Sequence, residues 1–160
     1  MEGAEKVRRG KRGHRAGPRF LEIAILIGLP ILLHYLIPVT IVVPRPYSYL
    51  GAVLMLLGFA LMTWAADLFH RAGAGFQLNR ESSVLVTSGP FRFSRNPMYL
   101  GMLIWLIGMA VLLGTLITFL FPVLFFLVAN FFIIPLEERS MEQQFGDRYL
   151  DYKQRVRRWL

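Results

Sequence analysis

Cysteine is absent from the 160-residue chain, which excludes a disulfide framework, a thiolate zinc site, an iron-sulfur cluster and a cysteine nucleophile. Histidine is scarce: His14, His34 and His70 are too scattered for a recognisable metal site, so no metal is expected, and no Ser-His-acid arrangement can be built around them. Acidic residues are outnumbered, 10 against 18 Lys and Arg, which leaves a formal charge of +8. From Met98 to Pro135 charge is missing altogether, over 38 residues. What fills the chain instead is apolar, with 55% hydrophobic residues gathered in near-continuous runs between residues 20 and 135, and this excludes an ordinary water-soluble globule. The length suits one domain, and the reading is an all-α integral membrane protein.

A bilayer core about 30 Å thick needs roughly 20 apolar helical residues. The first stretch that meets this requirement is Phe20 to Val43, with Pro30 and Pro38 inside it. It is too long for a signal-peptide core and has no small-residue cleavage site, so it is read as a retained anchor. The second runs from Ser48 to Phe69, separated from the first only by Pro44, Arg45, Pro46 and Tyr47, a spacing that predicts a tight antiparallel pair. The charge-free run would measure about 57 Å as helix, close to two crossings, with Gly114 and Thr115 at the reversal. Four transmembrane helices are therefore expected, at about 20–43, 48–69, 98–113 and 116–135, the last two forming a hairpin. A basic leader occupies 1–19, a cytoplasmic loop 70–97, and residues 20–160 form a single membrane domain. Gly51 and Gly58, and Gly101 and Gly108, recur at seven residues, a spacing that lets helices approach closely.

Basic residues are retained on the cytoplasmic side and can be counted loop by loop. Seven precede Phe20, four lie in the 70–97 loop and six in the closing tail, leaving only Arg45 for the far side. Both termini are thus expected in the cytoplasm, at an inner or cytoplasmic membrane, with polar chemistry at that boundary. The leader is read as contacting anionic lipid headgroups rather than nucleic acid.

In the tail 136–160, Met141, Phe145, Tyr149, Tyr152, Val156 and Trp159 recur every three or four residues, which predicts an amphipathic helix on the membrane or on the spans. Periodicity alone favours an interfacial anchor, with Trp159 and the nearby arginines at headgroup depth. Glu137 and Glu138 sit poorly at the end of a span, facing the negative end of the helix dipole, and a fresh helix start at Pro135 resolves that conflict. They are then either simple first-turn acids or a carboxylate turned into the bundle to meet a cationic or hydroxyl-bearing group. Arg95, Asn96 and Pro97 read as a helix start with Asn96 as N-cap, an arrangement that can dock an anion or can simply cap a span beside a snorkelling arginine. His34 is read as a packing histidine, and His70, at the cytoplasmic end of the second span, as a second-tier base. Gly73, Ala74 and Gly75 are too little for a dinucleotide fingerprint.

Leu85 to Gly89 reads LVTSG, Arg95 to Gly101 reads RNPMYLG, and Glu137 to Val156 reads EERSMEQQFGDRYLDYKQRV. Together these segments resemble the integral-membrane methyltransferases that include isoprenylcysteine carboxyl methyltransferase and the phospholipid N-methyltransferases. The resemblance covers about the last 75 residues. It implies S-adenosylmethionine as methyl donor, leaving S-adenosylhomocysteine, and a lipidic or small hydrophobic acceptor drawn from the membrane. Carried onto this chain, it implies a cofactor site from Leu85, Val86, Thr87 and Gly89, from Arg95, Asn96, Pro97, Tyr99 and Gly101, and from Glu137, Glu138, Tyr149 and Tyr152. Glu138, Arg95 and His70 are the candidates for catalysis. The chain departs from the isoprenylcysteine enzymes in having Asn96 where they have histidine. It also has the apolar run Phe131, Phe132, Ile133, Ile134 where arginines are expected ahead of the acidic pair. A prenylcysteine carboxylate is therefore not the favoured acceptor, and an amine, a thiol or another lipid headgroup fits at least as well. Sterol-type NADPH reductases look similar in their closing spans and give a second enzyme reading. A noncatalytic membrane protein, with these motifs as caps and anchors, is the third.

Overall fold

The computed structural model describes residues 19–37, 40–72 and 84–160. The basic leader as far as Pro18, Pro38, and the segment holding Gly73, Ala74, Gly75 and Arg80 lie outside the described residues. The described residues are helical apart from short extended connections: α1 (Arg19–Leu36), α2 (Leu50–Arg71), α3 (Pro97–Leu113), α4 (Leu120–Val128), α5 (Ile134–Phe145) and α6 (Asp147–Arg155). Short 3-10 turns precede α2 at Tyr47–Tyr49, α3 at Gly89–Arg92 and α4 at Leu116–Phe119.

Among the described residues two helical rods are long and apolar enough to cross a membrane, Tyr47–Arg71 with 25 residues and Leu116–Phe145 with 30. The other apolar helices, Ile27–Leu36 within α1 and Pro97–Leu113, are shorter. The first predicted span is cut short: α1 ends at Leu36, not Val43. Beyond it the chain is extended, because Ile41 forms an antiparallel bridge with Thr115 and the N-H groups of Val42 and Val43 donate to the Gly114 carbonyl at 2.8 and 3.2 Å. Those bonds satisfy backbone groups that a helix would otherwise pair internally. They draw the end of α1 onto the reversal between α3 and α4, and α1 packs there rather than along α2.

The close antiparallel partner of α2 is α3, and the glycines explain why. A Cβ at Gly58 would lie 2.5 Å from the Gly101 carbonyl oxygen, and one at Gly108 would lie 2.6 Å from the Met55 nitrogen. Only hydrogen at these positions allows the backbones to approach so closely. The reversal falls where expected: Gly114 takes a left-handed φ of 71°, closing α3 with its N-H on the Ala110 carbonyl at 2.9 Å.

Pro135 stands in the first turn of α5 with Glu137, as expected, but that helix does not start afresh. It is carried inside one continuous rod by a π-helical turn, Ala129–Ile133, that joins α4 to α5. Proline has no N-H to donate and its ring crowds the carbonyl four residues back, and a widened turn accommodates both defects. Glu137 and Glu138 therefore project from the side of a long rod. The tail is not one helix over 136–160 either. Gly146, at φ 52° and ψ −129°, breaks it after Phe145, α6 follows, and Val156 to Leu160 leave the helix as a strap that turns back onto the loop before α3.

Candidate cofactor site

The strap and the loop before α3 are stitched together through backbone groups. The Arg95 N-H donates to the Arg157 carbonyl at 3.0 Å, and the Arg158 carbonyl accepts from Ser94 Oγ at 3.3 Å and Asn96 Nδ2 at 3.0 Å. Asn96 thus stands at the N-cap position of α3, its carbonyl accepting from the Leu100 N-H at 3.0 Å, but its side chain does not cap the helix. The expected cap is replaced because the strap recruits the amide, while the Asn96 N-H is satisfied by Ser94 Oγ at 3.1 Å.

This stitching places three cations around one carboxylate. Glu138 is buried at the side of α5, with Arg95 Nη2 at 2.9 Å from Oε1, Arg158 Nη2 at 2.8 Å from Oε2 and Lys153 Nζ at 3.7 Å from Oε2. Arg158 binds with both arms of its fork, Nε lying 3.2 Å from Oε1. Isolated in an apolar rod, a carboxylate would lose several kcal/mol of hydration, so the surrounding guanidinium and ammonium groups are what keep it charged there. Lys153 also pairs with Glu142 at 2.7 Å. The Arg95 side chain is 8% exposed; its Nη1 donates to the Lys153 carbonyl at 3.1 Å, and its Nε is buried without a partner among the described residues. The Glu138 hydrogen bond raises the Arg158 guanidinium above its ordinary value, against the opposing effect of burial.

Glu137, one residue earlier, faces a different environment. Tyr99 Oη donates to its Oε1 at 2.7 Å, the Tyr99 ring packs on Phe125 with centroids 6.4 Å apart, and no cation reaches it among the described residues. Tyr149 and Tyr152 line the other side, buried and 6.1 Å apart, with Tyr152 Oη donating to the Phe91 carbonyl at 2.7 Å. Burial, then the negative charge of Glu138, pushes the Tyr149 phenol up to about 12. Burial, then neighbouring Tyr149, does the same for Tyr152. Both are therefore neutral hydroxyls at physiological pH.

The structure brings Arg95, Asn96, Tyr99, Glu137, Glu138, Tyr149 and Tyr152 to one end of the bundle, with Pro97 buried in the first turn of α3. The LVTSG segment lies beside it. Val86 packs with Ala65 and Phe91, Leu85 is half-buried, Thr87 is exposed, and Gly89 faces the Leu68 and Trp64 side chains. Gly101 serves α2–α3 packing instead, its missing Cβ making room for Met62 and the Gly58 carbonyl. His70 is exposed in the last turn of α2 and, among the described residues, makes no hydrogen bond or ion pair with the Glu138 cluster. His34 meets the expectation of a packing role, with Nδ1 3.0 Å from Thr115 Oγ1 at the opposite end of the bundle. Sequence reasoning missed Arg158, Lys153 and Asn130. The first two were read as charges on an amphipathic surface, and Asn130 carried no signal beyond being a polar residue within a charge-free run.

The sequence model of phospholipid methyltransferases matches residues 47–148. Protein-S-isoprenylcysteine O-methyltransferase B of Arabidopsis thaliana is 37% identical over 117 residues, covering 68% of this chain and 56% of its own. Protein-S-isoprenylcysteine O-methyltransferase of Saccharomyces cerevisiae is 34% identical over 116 residues, 68% of this chain and 46% of its own. An uncharacterized protein of Haemophilus influenzae is 46% identical over 63 residues, 39% of this chain and all of its own. Among solved structures, the eukaryotic intramembrane Ras methyltransferase, isoprenylcysteine carboxyl methyltransferase, shares the fold with a TM-score of 0.58 at 24% identity, over 88% of this chain and 51% of that one. The chain spans about half the length of the named methyltransferases it matches. With two rods able to cross a bilayer and the fold of an intramembrane enzyme, it is an integral membrane protein. From the match across residues 47–148, the chain belongs to the phospholipid methyltransferase family.

Proposed function

We propose that the protein is an S-adenosylmethionine-dependent membrane methyltransferase acting on a lipidic or small hydrophobic acceptor. The observation that carries this reading is the buried Arg95–Glu138 pair at 2.9 Å, built from two motif segments far apart in sequence, with the Arg95 Nε left as an unsatisfied donor. An amino-acid-bearing nucleoside presents a carboxylate, an ammonium, ribose hydroxyls and a flat adenine. The residues present fit those groups: Arg95 and the free N-H groups at the start of α3 for the carboxylate, Glu138 for the ammonium, and Tyr99, Tyr149 and Tyr152 as walls and hydroxyl partners.

When bound, the cofactor supplies an electrophilic methyl on a sulfonium, and displacement from it needs no metal. The chain's own task is to align the acceptor, exclude water and take up a proton where the acceptor carries one. Glu138 is held as a carboxylate by its cations, so the proton falls to Glu137, whose Oε1 is fixed by Tyr99 and whose Oε2 meets no partner among the described residues. His70, exposed and apart from the cluster, is the weaker candidate.

In this reading four helices cross the bilayer, both termini face the cytoplasm at an inner or cytoplasmic membrane, and the basic leader meets anionic headgroups. Phe131 and Phe132, both largely exposed on the π-helical turn, face the acyl chains and offer no cation to an acceptor carboxylate. An amine, thiol or other lipid headgroup is therefore at least as good an acceptor as a prenylcysteine carboxylate. Incubating the purified protein with isotope-labelled methyl donor and a total lipid extract, then identifying the labelled species, tests this reading. Label in a lipid headgroup or in an added prenylcysteine supports it and identifies the acceptor, and label in neither contradicts it.

A further inference from the structure

Asn130 is a polar residue on the π-helical turn, inside a stretch without charge. Its Oδ1 accepts from the Trp159 indole N-H at 3.1 Å and from Arg158 Nη1 at 3.4 Å, and its backbone carbonyl accepts from the same Nη1 at 3.4 Å. The Trp159 ring packs on Phe126 with centroids 5.2 Å apart. A π-helical turn leaves carbonyl groups less tightly paired than an α-helical one, so the geometry that accommodates Pro135 also frees the Asn130 carbonyl for an outside donor.

We propose that Asn130 is a positioning residue: by holding Trp159 and Arg158 it pins the strap Val156–Leu160 across the Arg95–Asn96 loop and fixes Arg158 on Glu138. Asn130 itself touches neither acceptor nor cofactor. Its effect runs through the strap, whose backbone supplies the acceptors for the Arg95 N-H and the Asn96 amide. Loosening one end therefore loosens the carboxylate pocket at the other. The inference rests on the cofactor reading above for its effect on binding, but not for its effect on the strap.

Two readouts separate these dependencies. The first is limited trypsin digestion of the full chain in lipid nanodiscs, following cleavage after Arg155 and Arg157. The second is calorimetric titration with S-adenosylhomocysteine. Asn130→Ala should speed cleavage at both strap sites several-fold and weaken S-adenosylhomocysteine about tenfold, the effect of losing a bond to a charged group. Asn130→Asp, which keeps an acceptor for both donors, should restore each to near the parent. Trp159→Phe keeps the ring against Phe126 and loses only the N-H; it should reproduce part of the effect and add little to Asn130→Ala, and it lies outside the apolar rod should Asn130→Ala fail to fold. Cleavage and affinity unchanged in both Asn130→Ala and Trp159→Phe, or an Asn130→Asp protein as impaired as Asn130→Ala, would overturn the proposal. If the parent chain does not bind S-adenosylhomocysteine, the cofactor reading fails, and the proteolysis arm still decides whether Asn130 pins the strap.

Discussion

Tyr99 donates a 2.7 Å hydrogen bond to Glu137, while the next residue, Glu138, is clasped by three cations on a neighbouring face of the same helix. Two adjacent carboxylates are thereby given different work. Under the proposed function Glu138, held by its cations, serves binding, and Glu137, which among the described residues meets only the Tyr99 hydroxyl, takes up the proton.

That division is separable by kinetics. Glu137→Gln should lower the rate of methyl transfer by about 100-fold or more with an amine or thiol acceptor while leaving S-adenosylhomocysteine affinity near the parent value, as removal of a general base does. Tyr99→Phe should give a smaller loss in the same direction. Single-turnover rates and binding constants measured on the same preparations check this, and an equal loss of rate in Glu138→Gln with intact binding would assign the proton to the wrong residue here.

The α2–α3 contact should be intolerant of a single added methyl. A Cβ at Gly58 would come within 2.5 Å of the Gly101 carbonyl oxygen, so backbone would have to yield to backbone, and Gly58→Ala should cost about 1–3 kcal/mol. Gly28→Ala, which meets nothing within 4 Å, is the matched control on α1. Thermal unfolding in detergent distinguishes them, and equal melting temperatures would show that the two helices do not approach this closely.

The buried phenols give stability a dependence on alkaline pH. Tyr149 and Tyr152 ionise at about 12 in the folded protein against 10.0 for an exposed tyrosine. Below pH 10 both are protonated folded or unfolded. Between about 10 and 12 only the unfolded chain gives up the proton, so stability should be lost as pH rises through that window. Absorbance at 295 nm during alkaline titration should show Tyr149 and Tyr152 ionising later than the exposed Tyr35, Tyr47 and Tyr49, with one late phenol lost in Tyr149→Phe and one in Tyr152→Phe. Early ionisation of all six tyrosines would contradict the buried placement of α6.

Much of this arrangement is legible in the chain before any coordinate. Periodicity and charge placement reveal the apolar rods, Gly114 marks the reversal, and the resemblance, not the local pattern, joins the Arg95 and Glu138 motifs in one site. What is not legible depends on contacts between remote segments. The first helix stops at Leu36, just ahead of Pro38, and the chain beyond it pairs with Gly114 and Thr115, a partner that the apolar pattern does not show. Pro135 reads as a helix start, yet a π-helical turn absorbs it without interrupting the rod. Arg158 reads as one more surface charge, since nothing in the spacing of the tail shows that Gly146 and the strap will fold it back onto Glu138. Asn96 is a fair cap by sequence, and only the arrival of the Arg158 carbonyl diverts its amide.

Whether Arg95 and Glu138 together hold an S-adenosyl donor is decided by titrating the purified chain in nanodiscs with S-adenosylhomocysteine. The parent protein should bind saturably, and Glu138→Gln and Arg95→Ala should each weaken that binding by about 1.5–3 kcal/mol through loss of a charge-assisted contact. No saturable binding, affinity unchanged in both variants, or tighter binding of NADPH than of S-adenosylhomocysteine would contradict that role.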